Sequence, residues 1–405
     1  MRLLMGSQVD GSMGWTKGLR RFEGHGVEIH QATTDGCNPA AAGAVPWDMH
    51  ALHAPSPPPR LSPPLVRGIV PTRHAAAATA AAWTRTTRRV ALTLALVLGA
   101  AALPAPVAAD EAADADEPPP RLNRFIELME AEQPAFGIFS SNLSVRTGAS
   151  VASSNLDFVI IDLEHSPYDV TRLEGYLLGM INKREIVTRG HLQPSTVPLV
   201  RVPAAGREQL QYVIKQVLDL GPMGIVVPHV DTAEDALAMV RACRFPQLRD
   251  APDYEPTGLR GVGYGWAARY WGLTGAEYAR RADLWPLDPQ GELVLWVMIE
   301  SAEAVENCLA IAETPGVGGL FVGPSDLAFS LGVPLGDPEV EEAIERIAEV
   351  ARETGVPLGT LCGPDDVERR LDQGFTFLAV GSDGGMSARV NEAVRIGRRH
   401  QRSTD

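Results

Sequence analysis

From residue 121 onward, short apolar runs alternate with amphipathic stretches. The runs are AFGIFS (135–140), DFVIIDLE (157–164), VPLVRV (197–202), GIVVPHV (224–230), LVLWVMIE (293–300), GLFVGPSDL (319–327), PLGTLC (357–362) and FTFLAVGSD (375–383). Most are continuously apolar rather than alternating, which predicts parallel strands covered on both faces. Between them REQLQYVIKQVLDLG, AEDALAMVRACRF, EAVENCLAIAETPG and EVEEAIERIAEVARETG read as helices. The last sets Ile344, Ile347, Ala348 and Ala351 along one face, with Glu and Arg opposite. Several of these stretches end in Gly, the usual helix stop. Eight such alternations predict a (β/α)8 TIM barrel over residues 122–400. The competing reading is an open doubly wound sheet, but no GxGxxG follows the first strand.

Ahead of the barrel the pattern changes. Residues 1–80 hold no sustained period, and PSPPPR, LSPPL and AAAATAAA are low in complexity. Residues 1–84 therefore read as a disordered extension, or as translation from an upstream start codon. Arg85, Arg88 and Arg89 precede the apolar ALTLALVLGAAALPAP, and Val107-Ala108-Ala109 stands before Asp110. That is the three-part layout of a secretory signal peptide over 85–109, so an exported protein, periplasmic or secreted, is expected. Arg88-Arg89 also permits a twin-arginine route. The apolar run is short for a bilayer span, and an uncleaved anchor is the alternative. DEAADADEPPP opens an acidic, proline-rich linker over 110–121.

Charge and cysteine narrow the choice of function. Residues 1–109 hold 10 basic and 5 acidic side chains, while the whole chain carries a net −14, so the body is strongly acidic. An acidic body argues against nucleic acid, which needs a basic face. Cys37, Cys243, Cys308 and Cys362 form no CxxC and no zinc-ligand spacing with His. They read as small apolar packing residues, with Cys243 and Cys308 on helices and Cys362 ending a strand.

In such a barrel, polar side chains at the C-terminal strand ends face the mouth. Those positions hold Asp162, Glu164 and His165, then Arg201, then Glu300 and Ser301, then Gly323-Pro324-Ser325-Asp326. Charge within apolar strands is costly unless paired or bound to metal, so its clustering at one rim is informative. Glu300 and Asp326 suit one hard cation, Mg²⁺ or Mn²⁺; a pair of carboxylates bridged to Arg is the alternative. Backbone N–H groups at Gly323 and Ser325 could hold a carboxylate, though glycine in a turn is commonly geometry alone. His165 could act as a general base or activate metal-bound water, or be structural. Arg201 could meet an α-keto acid and the enolate charge, or be spent on an ion pair with Glu300 or Asp162. Asp219, in KQVLDLG, reads most simply as a solvated helix residue.

DFVIIDLEHSPYD, VPLVRVP, KQVLDLGPMGIVVP, LRGVG, MIESAEAVEN and GLFVGPSDLAFSLG occur in an order and spacing that resemble the HpcH/HpaI aldolase/citrate lyase family. The likeness is to its 2-keto-3-deoxy sugar acid and 4-hydroxy-2-oxo acid aldolases, and it covers about residues 122–400. It implies a barrel of the phosphoenolpyruvate/pyruvate-binding type. The implied reaction cleaves a 2-oxo-4-hydroxy acid to pyruvate and an aldehyde with a divalent cation, Mg²⁺, Mn²⁺ or Co²⁺. It makes Glu300 and Asp326 the metal ligands, His165 the catalytic histidine and Arg201 the contact to the pyruvate moiety. Asp162 matches the aspartate near the histidine, and Asp219 an aspartate that partners it, reached across a subunit boundary. Gly323, Pro324 and Ser325 match the segment that holds the pyruvate carboxylate. No Schiff-base lysine is implied, and none of the strand ends named above carries one.

The resemblance also implies a homo-oligomer, trimer or hexamer. The last helix, SARVNEAVRIGRRHQ (387–401), would pack Val390, Val394 and Ile396 on a neighbour; a helix closing its own barrel is the alternative. Two positions depart from the family pattern: Leu163 where relatives usually have Gly, and Met298 where many have Gln. NKREIVTRGHLQPST is also longer than expected. Two other functions fit the same barrel. A citryl- or malyl-CoA-type lyase wants a basic nucleotide groove that this acidic body does not offer. An exported keto-acid binder without turnover would have no need of Glu300, Asp326, His165 and Arg201 together.

Overall fold

The apolar runs form buried parallel strands, and their sequence order sets the topology. In this computed structural model they are β1 (Ala135–Ser140), β2 (Phe158–Asp162), β3 (Val197–Arg201), β4 (Gly224–Val227), a two-residue β5 (Leu284–Trp285), β6 (Leu293–Ile299), β7 (Gly319–Val322), β8 (Leu358–Leu361) and β9 (Phe377–Ser382). Residues 120–203, 205–383 and 388–404 are described, all within the unit Ala109–Asp405. The extension 1–84, the secretory layout at 85–109 and nearly all of the linker fall outside them. Each strand pairs in parallel with its neighbour; β4 pairs with β6, and β9 returns to β1. The sheet thus closes into the expected eight-stranded (β/α)8 barrel, with β5 added on the outside of β6.

The barrel interior is filled by rings set against glycines. Phe125, on the helix Arg124–Glu130, lies 4.8 Å from Trp296 and 5.3 Å from Phe377 between ring centroids. Trp296 and Phe377 are 4.1 Å apart. A Cβ at Gly137 would fall 2.3 Å from the Phe158 ring, and one at Gly359 would fall 2.0 Å from Phe377. Large side chains on one strand therefore need bare backbone on the next, which packs the interior solid and leaves the rims for chemistry. Asn123 caps the Arg124–Glu130 helix and binds the carbonyls of Met223 and Glu292, tying it to the barrel.

Four expectations are corrected in detail. The run GLFVGPSDL is strand only to Val322; Gly323 then caps a helix, Pro324–Leu331, with proline at its first position. REQLQYVIKQVLDLG breaks at Gln209, whose φ of 55° cannot continue a helix, so the long helix is Gln211–Leu218. EAVENCLAIAETPG splits at Asn307, whose side chain donates instead to the carbonyl of Asp231. The last helix, Ala388–Thr404, packs on its own barrel. Val390 and Val394 are 2 % and 3 % exposed, and a Cβ at Gly397 would meet the Phe136 ring at 2.1 Å. Those valines are thus used inside the chain rather than offered to a neighbour. Cys243 and Cys308 are buried free thiols, as their apolar surroundings suggested, and Cys362 follows β8 half-buried. Among the described residues no helix is long and apolar enough to cross a membrane.

Candidate active site

The parallel register places the rim residues side by side. Asp162 and Arg201 are direct partners across β2 and β3. Ile299 pairs with Val322, so Glu300 and Gly323 leave adjacent strands together. Arg201 donates from Nε and Nη2 to both oxygens of Asp162 at 2.9 Å each, a two-pronged bond that fixes the guanidinium plane. Its Nη1 lies 2.9 Å from Glu164, and its guanidinium carbon stands 4.8 Å from the Phe139 ring centroid. Arg201 is therefore ion-paired to Asp162 and Glu164 and not to Glu300. The pairing orients it toward the mouth, and its charge only partly offsets the remaining acids: it lowers the Glu300 carboxyl less than burial raises it.

Glu300 is 3 % exposed. Its Oε1 accepts the backbone N–H of His229 at 2.8 Å. Burial pushes its carboxyl up to about 7; the His229 N–H works against that rise, and the charges of Glu164 and Asp326 add to it. Glu164 is likewise held above the usual carboxylate range by burial, with Arg201 opposing. Asp326 lies in the first turn of Pro324–Leu331. Gly323 makes the close approach possible: a Cβ there would sit 2.4 Å from Glu300 Oε2 and 3.3 Å from the Met298 methyl. Met298, itself buried, lines this corner with an apolar group.

Among the described residues, Asp162, Glu164, Glu300 and Asp326 thus gather at the mouth with the Arg201 guanidinium. Like charges in a low-dielectric site are tolerated only with a counter-cation or a held proton. Glu300 and Asp326 offer an all-oxygen donor set, and Gly323 leaves Glu300 Oε2 clear, so these residues fit a hard divalent ion. One group of three acids whose oxygens already lie together occurs elsewhere, Asp253, Asp283 and Asp288. There Arg244 supplies the positive charge, bonding Asp283 through two nitrogens and Asp253 through one.

His165 is at the mouth but open to solvent, its side chain 65 % exposed and its Nε2 3.6 Å from Glu164. Its backbone N–H turns toward Asp162. Ser325 is exposed and Pro324 half-buried on the same rim. Ser301 caps the next helix and donates to Asp231. Asp219 is not brought to this group within the chain. It caps the far end of Gln211–Leu218 and pairs with Arg260 at 3.2 Å, so it is neither solvated alone nor beside His165. Leu163 is buried, and its N–H joins the ladder to Arg201 O, so the departure from Gly is absorbed by packing.

Two rim residues escaped sequence reasoning. Asp383, at the end of β9, accepts from the Ser140 hydroxyl and the Asn142 N–H, fastening β1 to β9. His229 lies two residues beyond β4 with φ 52°, and its imidazole stands 3.5 Å from Glu300 and 3.7 Å from Glu164. The run GIVVPHV contained that histidine at its rim end; the rule that singled out the other rim residues applies to it equally.

A parallel (β/α)8 barrel with acids, one arginine and two histidines gathered at its C-terminal rim is the form of a barrel enzyme for a small polar substrate. The chain belongs to the HpcH/HpaI aldolase/citrate lyase family, whose model matches residues 136–389. It is 34% identical over 267 residues to the 5-keto-4-deoxy-D-glucarate aldolase of Salmonella typhimurium (strain LT2), a match covering 65% of this chain and 91% of that enzyme. Among solved structures, an HpcH/HpaI aldolase/citrate lyase family protein from Burkholderia cenocepacia J2315 aligns with a TM-score of 0.53 at 28% identity. That alignment covers 70% of this chain and 99% of the other. An HpcH/HpaI aldolase from Desulfitobacterium hafniense DCB-2 shares the fold at a TM-score of 0.51 and 23% identity, over 67% and 95% of the two chains. The protein is a carbon–carbon lyase of the aldolase kind.

Proposed function

We propose that the enzyme is a divalent-metal-dependent aldolase that cleaves a 2-oxo-4-hydroxy acid to pyruvate and an aldehyde. The observation that carries this reading is Glu300, a buried strand-end carboxylate raised by the charges of Glu164 and Asp326, while Arg201 is ion-paired to Asp162 and Glu164. Glu300 and Asp326 would hold the cation, which when bound supplies Lewis-acid polarisation of the substrate's 2-oxo group. Arg201, fixed flat by Asp162, turns the N–H groups not used on Asp162 and Glu164 to the keto-acid end, and its charge opposes the negative charge left when the C3–C4 bond breaks. The electron pair of that bond stays on the pyruvate fragment, and the C4 hydroxyl gives up its proton as it becomes the aldehyde. His165, open to the mouth and next to Glu164, takes that proton and can return one to C3. A Schiff-base route has no candidate among the described residues: Lys183 and Lys215 are both exposed on outer helices.

Exchange of pyruvate methyl protons with deuterated water tests this without an aldehyde. Exchange is expected with Mg²⁺, Mn²⁺ or Co²⁺ and lost in excess EDTA. It should be about 10²- to 10⁴-fold slower in His165→Ala, and slower in Arg201→Lys, which keeps charge but loses the fork. A wild type that exchanges nothing with any of the three metals overturns the proposal.

Export and assembly belong to the same reading. The layout at 85–109 supports cleavage after Ala109 and a periplasmic or secreted enzyme. N-terminal sequencing of cell-envelope material checks it; a cytoplasmic chain that retains residues 85–109 counts against it. A trimer or hexamer would bring Asp219 of one copy toward His165 of another, which the position of Asp219 at an outer helix end allows. Light scattering that shows a monomer at micromolar concentration removes that role for Asp219.

A further inference from the structure

The stretch after β4 is built with more constraint than a turn requires. His229 has φ 52°, a region that non-glycine residues enter at a cost and that recurs at functional sites. The backbone around it is tied on both sides. Its N–H donates to Glu300 Oε1 at 2.8 Å, and its carbonyl accepts from Arg207 N at 2.9 Å. Gly206 lies so close beneath that a Cβ there would be 2.5 Å from that carbonyl oxygen. Two residues on, Asp231 is buried and holds Ser301 and Asn307. The peptide that follows Pro228 aims the His229 N–H at the buried carboxylate, and the left-handed φ lets the chain turn behind it, so that the carbonyl meets Arg207 N while the N–H stays on Glu300. The imidazole stands over the same carboxylate and reaches toward Glu164, at 3.5 Å and 3.7 Å, both too long for a hydrogen bond.

We propose that His229 is a positioning residue for Glu300: its left-handed backbone lets the N–H hold one carboxylate oxygen while the carbonyl is tied to Arg207, leaving the other oxygen aimed past Gly323 for a divalent cation. This rests on the cation reading above and adds to it the residue that orients the ligand. Groups standing behind a metal ligand typically change affinity by about 10- to 100-fold when lost.

Two variants separate backbone from side chain. His229→Asn removes the imidazole but suits the left-handed region, whereas His229→Val is β-branched and disfavours it. Mn²⁺ binding to the purified full chain without substrate, read from the EPR signal of free Mn²⁺, gives affinity independent of turnover; circular dichroism reports folding. His229→Asn is expected within about threefold of wild type, and His229→Val about 10- to 100-fold weaker. In turnover assays, His229→Val should need more Mn²⁺ for half-maximal rate and regain most of kcat at saturating Mn²⁺. Equal affinity in wild type and His229→Val overturns the proposal. So does a His229→Asn variant as weak as His229→Val, since the imidazole would then be the acting group. Should His229→Val fail to fold, His229→Asn alone decides it by the same threefold limit. A wild type that binds no Mn²⁺ sinks the metal-dependent reading together with this proposal, whereas bound Mn²⁺ with unchanged variants sinks this proposal alone.

Discussion

Replacing Glu300 by Gln should make the metal-free protein more stable while removing its metal response. The carboxyl stands at about 7 against an ordinary 4.5, chiefly through burial. Between those values the folded protein keeps a proton that the unfolded chain has lost, so the stability of the metal-free protein falls as pH rises through that window. At 1.36 kcal/mol per unit the loss at pH 8 is roughly 3 kcal/mol. Gln has no proton to lose and keeps an oxygen for the His229 N–H. In EDTA at pH 8, Glu300→Gln should therefore gain up to roughly 3 kcal/mol over wild type, and at pH 5 little or nothing. Added Mn²⁺ at a hundred times its Kd should restore about 2.7 kcal/mol to wild type and none to the variant. Urea denaturation followed by tryptophan fluorescence, with Trp296 buried in the barrel, reads all three conditions. A variant no more stable than wild type at pH 8, or one whose advantage is as large at pH 5, refutes the reasoning, because burial of that carboxylate would then cost nothing.

Gly323→Ala should fold yet bind Mn²⁺ at least tenfold more weakly, because its Cβ would sit 2.4 Å from Glu300 Oε2 and push that oxygen aside; calorimetric titration checks it. Asp162→Ala removes the two-pronged hold on Arg201 but leaves Glu164, so a loss of about 1.5–3 kcal/mol is expected, with a raised KM for the keto acid as Arg201 swings free. Urea curves and steady-state kinetics separate these two effects.

How much of this was legible beforehand depends on how local the cause is. Strand positions could be read because burial on both faces demands unbroken apolar runs; AFGIFS is β1 residue for residue. The long helix Pro338–Thr354 announced itself through Ile344, Ile347 and Ala351 and the closing Gly355. The rim acids and Arg201 stood out because charge at the end of an apolar run needs a partner. Breaks inside helices were not legible. Asn307 leaves its helix for a carbonyl 76 positions away, and Gln209 adopts a backbone angle that no propensity announces.

Partners across the barrel mouth were likewise a matter of tertiary structure. The choice of Asp162 and Glu164 over Glu300 for Arg201 follows from strand register, which sets Asp162 beside Arg201 and leaves Glu300 two strands beyond β3. The contact between His229 and Glu300 joins the end of β4 to the end of β6, neighbours only because these two strands pair directly, with the short β5 skipped. The last helix shows the same division. Its apolar stripe was visible in the sequence, but a stripe specifies only that something must cover it. Only the fold decides that Val390 and Val394 meet their own barrel, with Gly397 laid against Phe136, because coverage depends on where chain segments far apart in sequence come to rest.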